Sequence, residues 1–260
     1  MTRTLLAPFT ALGRGVRVFT LAIGRWGGLV IDAARALRWV EIWAPLTLRQ
    51  MTRIGVDSVP IALFIAAFTG IVLALQASYT FTGAIPLYFV GVLVGKTMML
   101  ELGPVLTGLA LSGRVGANIS AEIGTMRVTE QIDALETMAY PPVAYLVVPR
   151  VIAGTIMFPL VTALAIAMGI VAGWFTAIQL LELSTPEFIR GLTLFFVPFD
   201  VAYAMIKATS FGFVVTTIGC HFGFGTRGGA EGVGRSTTGA VVASSMVILV
   251  LDAFWAVLLL

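Results

Sequence analysis

The chain has 260 residues, of which 58% are hydrophobic and 11% charged, with a mean hydropathy of +1.00. A soluble domain carries roughly 25% charged residues, so an ordinary soluble enzyme is excluded, and the apolar runs are too long for linkers or disorder. The formal charge of +3 is unevenly placed, since eight of the sixteen cations, all arginine, precede Ile54. That is a membrane-topology and lipid-headgroup pattern rather than a nucleic-acid one.

Taken in chain order, Leu5, Phe9, Leu12, Val16, Phe19, Ile23, Trp26 and Val30 fall on one helical stripe, with Arg14, Arg17 and Arg25 opposite. The spacing predicts an amphipathic helix lying in the membrane interface. Arginines interrupt its apolar run and no small-residue cleavage site follows, which argues against a signal peptide. Apolar stretches then occur at about Ile54 to Ala77, Ile85 to Leu111, Val143 to Leu181, Leu192 to Ile218 and Ala240 to Leu260. Each reaches the roughly 20 residues that cross a bilayer core. The expected fold is an all-α integral membrane protein: an interfacial region over residues 1–52 and a domain of five transmembrane helices over 53–260.

The positive-inside rule sets the expected orientation. With the N-terminus inside, thirteen of the sixteen cations lie in inside segments and only Arg190 outside, while Lys96 and Lys207 fall within spans. Five spans then place the C-terminus outside.

Gly91, Gly95, Lys96 and Thr97 suggest a phosphate loop, but the spacing is one residue short and lies in a span. Gly91 and Gly95 fit close helix packing instead. Cys220, the only cysteine, has no disulfide partner and is expected to be a small packed residue.

Between the second and third spans, a loop over about 114–142 carries Arg114, Glu122, Arg127, Glu130, Asp133 and Glu136, followed by Arg150. Val128, Ile132 and Leu135 recur at helical spacing, which predicts a short cytoplasmic helix. Its three acidic residues disfavour rest on anionic headgroups and favour docking to a protein partner.

Ionisable residues inside spans are costly and are paired or functional. At 1.5 Å per residue, Glu101 lies about 24 Å along its span and Lys207 about 22 Å along a parallel one. The two are expected to pair, with Asp252 the rival partner. In the first span Ile65, Phe68, Leu73, Leu75, Gln76 and Tyr79 are candidates for an adaptable lipid-contacting wall.

Several runs carry a family resemblance. They are Glu101 to Thr107, Ser112 to Ala117, Ala121 to Leu135, Tyr145 to Arg150 and Gly228 to Thr238. Together they resemble the MlaE family of ABC-transporter permeases over most of the chain from about Ile54, with Pro141 standing where relatives often carry an acidic or amide residue. The resemblance implies a homodimeric permease of the bacterial inner membrane that moves phospholipid to or from a periplasmic MCE-domain protein. A separate cytoplasmic ABC ATPase would bind ATP and Mg and dock on the loop carrying Glu122, Arg127, Glu130, Asp133 and Leu135, and a small accessory subunit is a further expected partner. No cofactor is expected in this chain. Two other readings stand beside this one: a membrane scaffold without transport, and an intramembrane hydrolase built on His221 with Asp252 or Ser244, which as isolated residues do not make a triad.

Overall fold

The computed structural model describes residues 2–80, 86–181 and 183–259, with side chains placed at residue 17 and from residue 20 onward. Among these residues the secondary structure is entirely helical. Helix α1 (Thr2–Ala36) is followed by α2 (Val40–Ile54), a 3-10 turn at Val56–Ser58, and α3 (Val59–Thr80). Helices α4 (Phe89–Thr97), α5 (Gly103–Leu111) and α6 (Ala117–Val128) form one continuous rod, joined by π-helical turns at Met98–Leu102 and Ser112–Gly116. The short α7 (Gln131–Thr137) precedes a third π turn, Val143–Val147, that opens α8 (Val148–Leu180). Then come α9 (Thr185–Leu194), α10 (Pro198–Phe224) and α11 (Gly229–Leu259).

Five of these helical segments are long and apolar enough to cross a membrane: Val40–Thr80, Phe89–Val128, Val143–Leu180, Pro198–Phe224 and Gly229–Leu259. The chain is an all-α multi-pass membrane protein. Several expected boundaries move: the first helical segment starts at Val40 rather than Ile54 and the last at Gly229 rather than Ala240, and two shifts bear on the site. The second span does not end at Leu111 but continues as helix to Val128, so Arg114, Glu122 and Arg127 stand on a helix and not in a loop. Hydropathy truncated it because it reports where the apolar stretch ends, before Arg114, and not where the helix ends. The fourth span starts at Pro198 rather than Leu192, because Pro198 fits the first helical position and the Asp200 carboxylate accepts the Val197 backbone N–H at 3.1 Å. The apolar run before it belongs to α9, whose Ser184 side chain and backbone N–H both bond Glu187 and hold that carboxyl below its ordinary range.

In α1, Arg17 and Arg25 are exposed, while Leu29, Ala33 and Ala36 pack toward the start of α8. The stripe positions Leu5, Phe9, Leu12, Val16 and Phe19, and the opposing Arg14, lie outside the described side chains.

Small residues let the spans approach closely, as membrane helix pairs require when lipid is as apolar as the side chains. A Cβ on Gly70 of α3 would fall 1.9 Å from the Gly169 carbonyl oxygen of α8. Gly154 of α8 and Gly212 of α10 meet in the same way, a Cβ on Gly212 falling 2.4 Å from the Gly154 carbonyl. Gly91 and Gly95 fill the packing role expected of them: α9 lies across them through Phe188 and Leu192. Cys220 is fully buried. Helix α10 runs through the centre, and α11 shows most of its apolar surface to the outside, including Met246, Val250 and Val257.

This packing gives a direct test. Gly70→Ala is expected to cost about 1–3 kcal/mol through forced backbone displacement, read as a drop of several degrees in Tm in detergent. Gly24→Ala, which meets nothing within 4 Å, should leave Tm unchanged or raised. Equal Tm values for the two variants would contradict the α3/α8 contact.

Candidate functional site

The centre of the bundle holds a buried ion cluster. Lys207 of α10 has no accessible surface, so its ammonium must find all its partners inside the protein. Its Nζ donates to Glu101 Oε2 at 2.9 Å and to the Leu100 carbonyl at 3.0 Å, and it forms an ion pair with Asp252 of α11. Tyr203, one turn earlier on α10, adds its hydroxyl at 3.4 Å and its ring face at 4.8 Å. Leu100 has a carbonyl to offer because the residue four positions on is Pro104, which lacks the N–H that would have taken it. The same local sequence therefore supplies a carboxylate and a freed carbonyl side by side, in the widened turn at Met98–Leu102.

Glu101 and Lys207 are thus brought together as expected, but Asp252 is not an alternative to Glu101; both carboxylates bind the one ammonium. Closer to the α9 end, Lys96 Nζ pairs with Asp200 Oδ2 at 2.6 Å, and Asp200 is almost fully buried. The second span and α10 are therefore cross-linked twice, with opposite charge order on the two helices.

The residues of the hydrolase reading are not gathered. Asp252 is held by Lys207, and His221 lies fourteen positions further along α10, about 21 Å away at 1.5 Å per residue. Ser244 is buried on α11 without a hydrogen-bond partner for its Oγ.

The other charged region lies where α2, α6 and α8 meet. Glu122 accepts from Arg53 Nη1 at 3.1 Å and pairs with Arg150 Nη2 at 3.1 Å. Arg150, expected on an inside loop, is instead 3% exposed and donates to the Leu146 carbonyl at 2.6 Å. Glu122 is thereby turned into the fold. Beyond it, Arg127 bonds Asp133 across the α6–α7 turn at 2.5 Å. Glu130 at the start of α7 and Ala139 past its end both adopt left-handed backbone conformations, with φ of 60° and 55°, so α7 is set off by a sharp turn at each end. The expected short helix is present: Ile132 is buried and Leu135 packs on the core, while Glu130, Asp133 and Glu136 are exposed. Of the residues proposed for coupling, two therefore present carboxylates outward, Arg127 ties one of them down, and Glu122 and Leu135 serve internal contacts.

Along α3 the six wall candidates separate. Phe68, Leu75, Gln76 and Tyr79 are exposed, Tyr79 to 86%, and Ile65 is half-buried. Leu73 is buried, on the face of α3 that packs inside.

Three partners escaped the sequence reading: Asp200 for Lys96, and Arg53 and Arg150 for Glu122. A signal existed for the first, since a Pro followed two positions on by Asp marks a helix start and places Asp200 inside a span. None existed for the arginines, because Arg53 and Glu122 are 69 positions apart.

With two carboxylates on Lys207, single and combined neutralisations should differ. Lys207→Met leaves the partly buried carboxylates of Glu101 and Asp252 without their cation and is expected to destabilise by about 1–3 kcal/mol, less than for a fully buried pair. Removing Glu101 and Lys207 together still strands Asp252. Only the triple variant Glu101→Gln, Lys207→Met, Asp252→Asn should recover most of the stability, as read by detergent thermal melts; a triple variant as unstable as Lys207→Met would contradict the shared-ammonium arrangement.

Comparison with known proteins agrees with this geometry. Residues 47–258 match the family described as Permease MlaE. The chain is 34% identical over 244 residues to the intermembrane phospholipid transport system permease protein MlaE of Haemophilus influenzae, covering 94% of each chain. It is 38% identical over 239 residues to a probable ABC transporter permease protein of Rickettsia prowazekii, covering 92% of each. A probable ABC transporter permease protein of Synechocystis is 40% identical over 208 residues, covering 80% of this chain and 79% of that one. The family match over residues 47–258 and relatives 34–40% identical across most of their length place this protein in the MlaE permease family.

Proposed function

We propose that this chain is the membrane-spanning subunit of an ABC transporter that moves phospholipid between the bacterial inner membrane and a periplasmic MCE-domain protein. Two copies would form the pathway, and a separate cytoplasmic ATPase, which binds the ATP and Mg, would drive it; a small accessory subunit completes the expected set. The cargo is suggested by the name of the Haemophilus relative. In this reading the arginine-rich end is cytoplasmic, a placement that thirteen of the sixteen cations favour, and the C-terminus is periplasmic. Residues 1–52 form the interfacial region and 53–260 the permease.

The observation that carries the reading is α7. A seven-residue helix, anchored by Ile132, carrying exposed Asp133 and Glu136 and preceded by exposed Glu130, stands at the arginine-rich end. Such a helix offers a charged, rigidly mounted face to a soluble partner rather than to anionic lipid. On the lipid side, the exposed Phe68, Leu75, Gln76 and Tyr79 give α3 an apolar face with polar groups toward one end, suited to acyl chains and a headgroup respectively.

Reversing the charge of Glu130, Asp133 and Glu136 together should abolish co-purification of the ATPase while the permease keeps its elution volume and Tm. A photo-crosslinking residue at Phe68 or Tyr79 should label phospholipid in reconstituted vesicles, and one at Leu73 should not. Retained ATPase binding would remove α7 from the interface. Partner binding without ATP-dependent lipid movement in those vesicles would instead favour the scaffold reading.

A further inference from the structure

The cleft between α2, α6 and α8 contains more positive charge than the fold uses. Arg49, Arg53, Arg114 and Arg150 line two adjoining cavities of about 180 and 210 Å³, against only two carboxylates, Glu122 and Asp57. The cavities share Gln50, Arg53 and Glu122, so the Arg53–Glu122 bridge is the partition between them. Glu122 satisfies part of two guanidiniums. Among the described residues Arg49 and Arg114 have no ion pair, and the Nε atoms of Arg114 and of the almost fully buried Arg150 have no hydrogen-bond partner. Arg150 is the buried member, Arg114 is half-buried, and Arg49 and Arg53 are exposed at the mouth; a buried Nε–H without an acceptor beside open guanidinium forks suits an anion, and the planar fork of N–H donors matches phosphate oxygens.

The depth of the cleft indicates which anion. Glu122 lies 33 positions beyond Phe89 along the second-span rod, about 50 Å at 1.5 Å per residue, whereas hydrocarbon occupies about 30 Å and the headgroup layers bring the bilayer to about 40–45 Å. With the Phe89 end at the opposite surface, a rod of that length, tilted as spans usually are, reaches past hydrocarbon to the outer edge of the headgroup layer, so the cleft lies outside hydrocarbon at the arginine-rich end. Its lining is amphipathic, since Leu46, Met126 and Tyr145 share one cavity with the arginines and Ile54, Val115 and Ile119 share the other. A free phosphate has no use for such a lining, and acyl chains do.

We propose that this cleft binds the phosphate of a membrane lipid of the adjoining leaflet, with Arg49 and Arg53 as the outer ligands and Arg150 behind them. Glu122 occupies part of the site and competes with the phosphate for Arg53 and Arg150. The site is separate from the exposed α3 face and does not rest on the transport reading.

The test uses the full-length permease in mild detergent, with native mass spectrometry during titration with dioleoylphosphatidylglycerol. Arg49→Gln with Arg53→Gln is expected to weaken the tightest binding about tenfold or more, and Glu122→Gln to strengthen it by a similar factor, because it frees two guanidiniums. Dioleoylglycerol, which lacks phosphate, should bind wild type and variants alike. The Glu122→Gln arm keeps the test decisive if the double arginine variant does not fold, since a purely structural role for Glu122 gives a lower Tm and no gain in lipid binding. Unchanged lipid binding in the folded arginine variant, or no gain in Glu122→Gln, overturns the proposal. Displacement of the lipid by millimolar inorganic phosphate overturns the lipid assignment in favour of a soluble anion.

Discussion

An ammonium with no access to water, set among apolar helices, is the constraint around which this molecule is arranged. Lys207 can stay charged only while Glu101, Asp252 and the Leu100 carbonyl surround it. Those groups come from two other spans, so three helices must meet at one depth and one rotation for the fold to be stable. The close glycine contacts between α3 and α8 and between α8 and α10 then bring the remaining helices to α10 at van der Waals distance. Polar and steric requirements agree on the same geometry, which is the condition for a single native packing.

The Lys96–Asp200 bridge adds direction to this. Along the second span the charges read positive then negative, and along α10 negative then positive. Sliding α10 until Asp200 reached Glu101, or Lys207 reached Lys96, would bring like charges together in a medium of low dielectric constant. The pair of bridges thus excludes sliding of these two helices past each other and leaves tilting about the central cluster as the less costly relative motion.

Much of this was legible in the sequence, for identifiable reasons. Apolar length gave the five spans, since hydrocarbon thickness sets it directly, and the depth of Glu101 and Lys207 could be counted in residues. The short α7 followed from Ile132 and Leu135, while Val128, counted in the same pattern, closes α6 instead. What was not legible depended on contacts between distant segments. Glu122 read as a surface carboxylate because Arg53 and Arg150, which turn it inward, lie on other helices; the second span read as ending at Leu111 because its helix outlasts its apolar stretch. Leu73 could not be told from Phe68 or Leu75 by apolar character alone, because the low amphipathicity of α3 hides which side α8 covers. The doubt over Lys207 arose from treating pairing as exclusive, whereas an ammonium has three protons and accepts more than one carboxylate.

The three π-helical turns bear on how such a chain is compared with its relatives. A π turn holds one residue more than the α-helical turn it replaces, which is equivalent to a single-residue insertion absorbed without a loop. Every side chain beyond it is rotated by about 100° relative to an uninterrupted helix. Two such turns lie in the second span, one at Glu101 and one between it and Glu122. A homologue that lost either turn would keep its hydropathy profile and most of its identities, yet would show a different face to α10 and to α2. Equivalence between relatives in this segment is therefore a matter of rotational phase as well as of aligned letters.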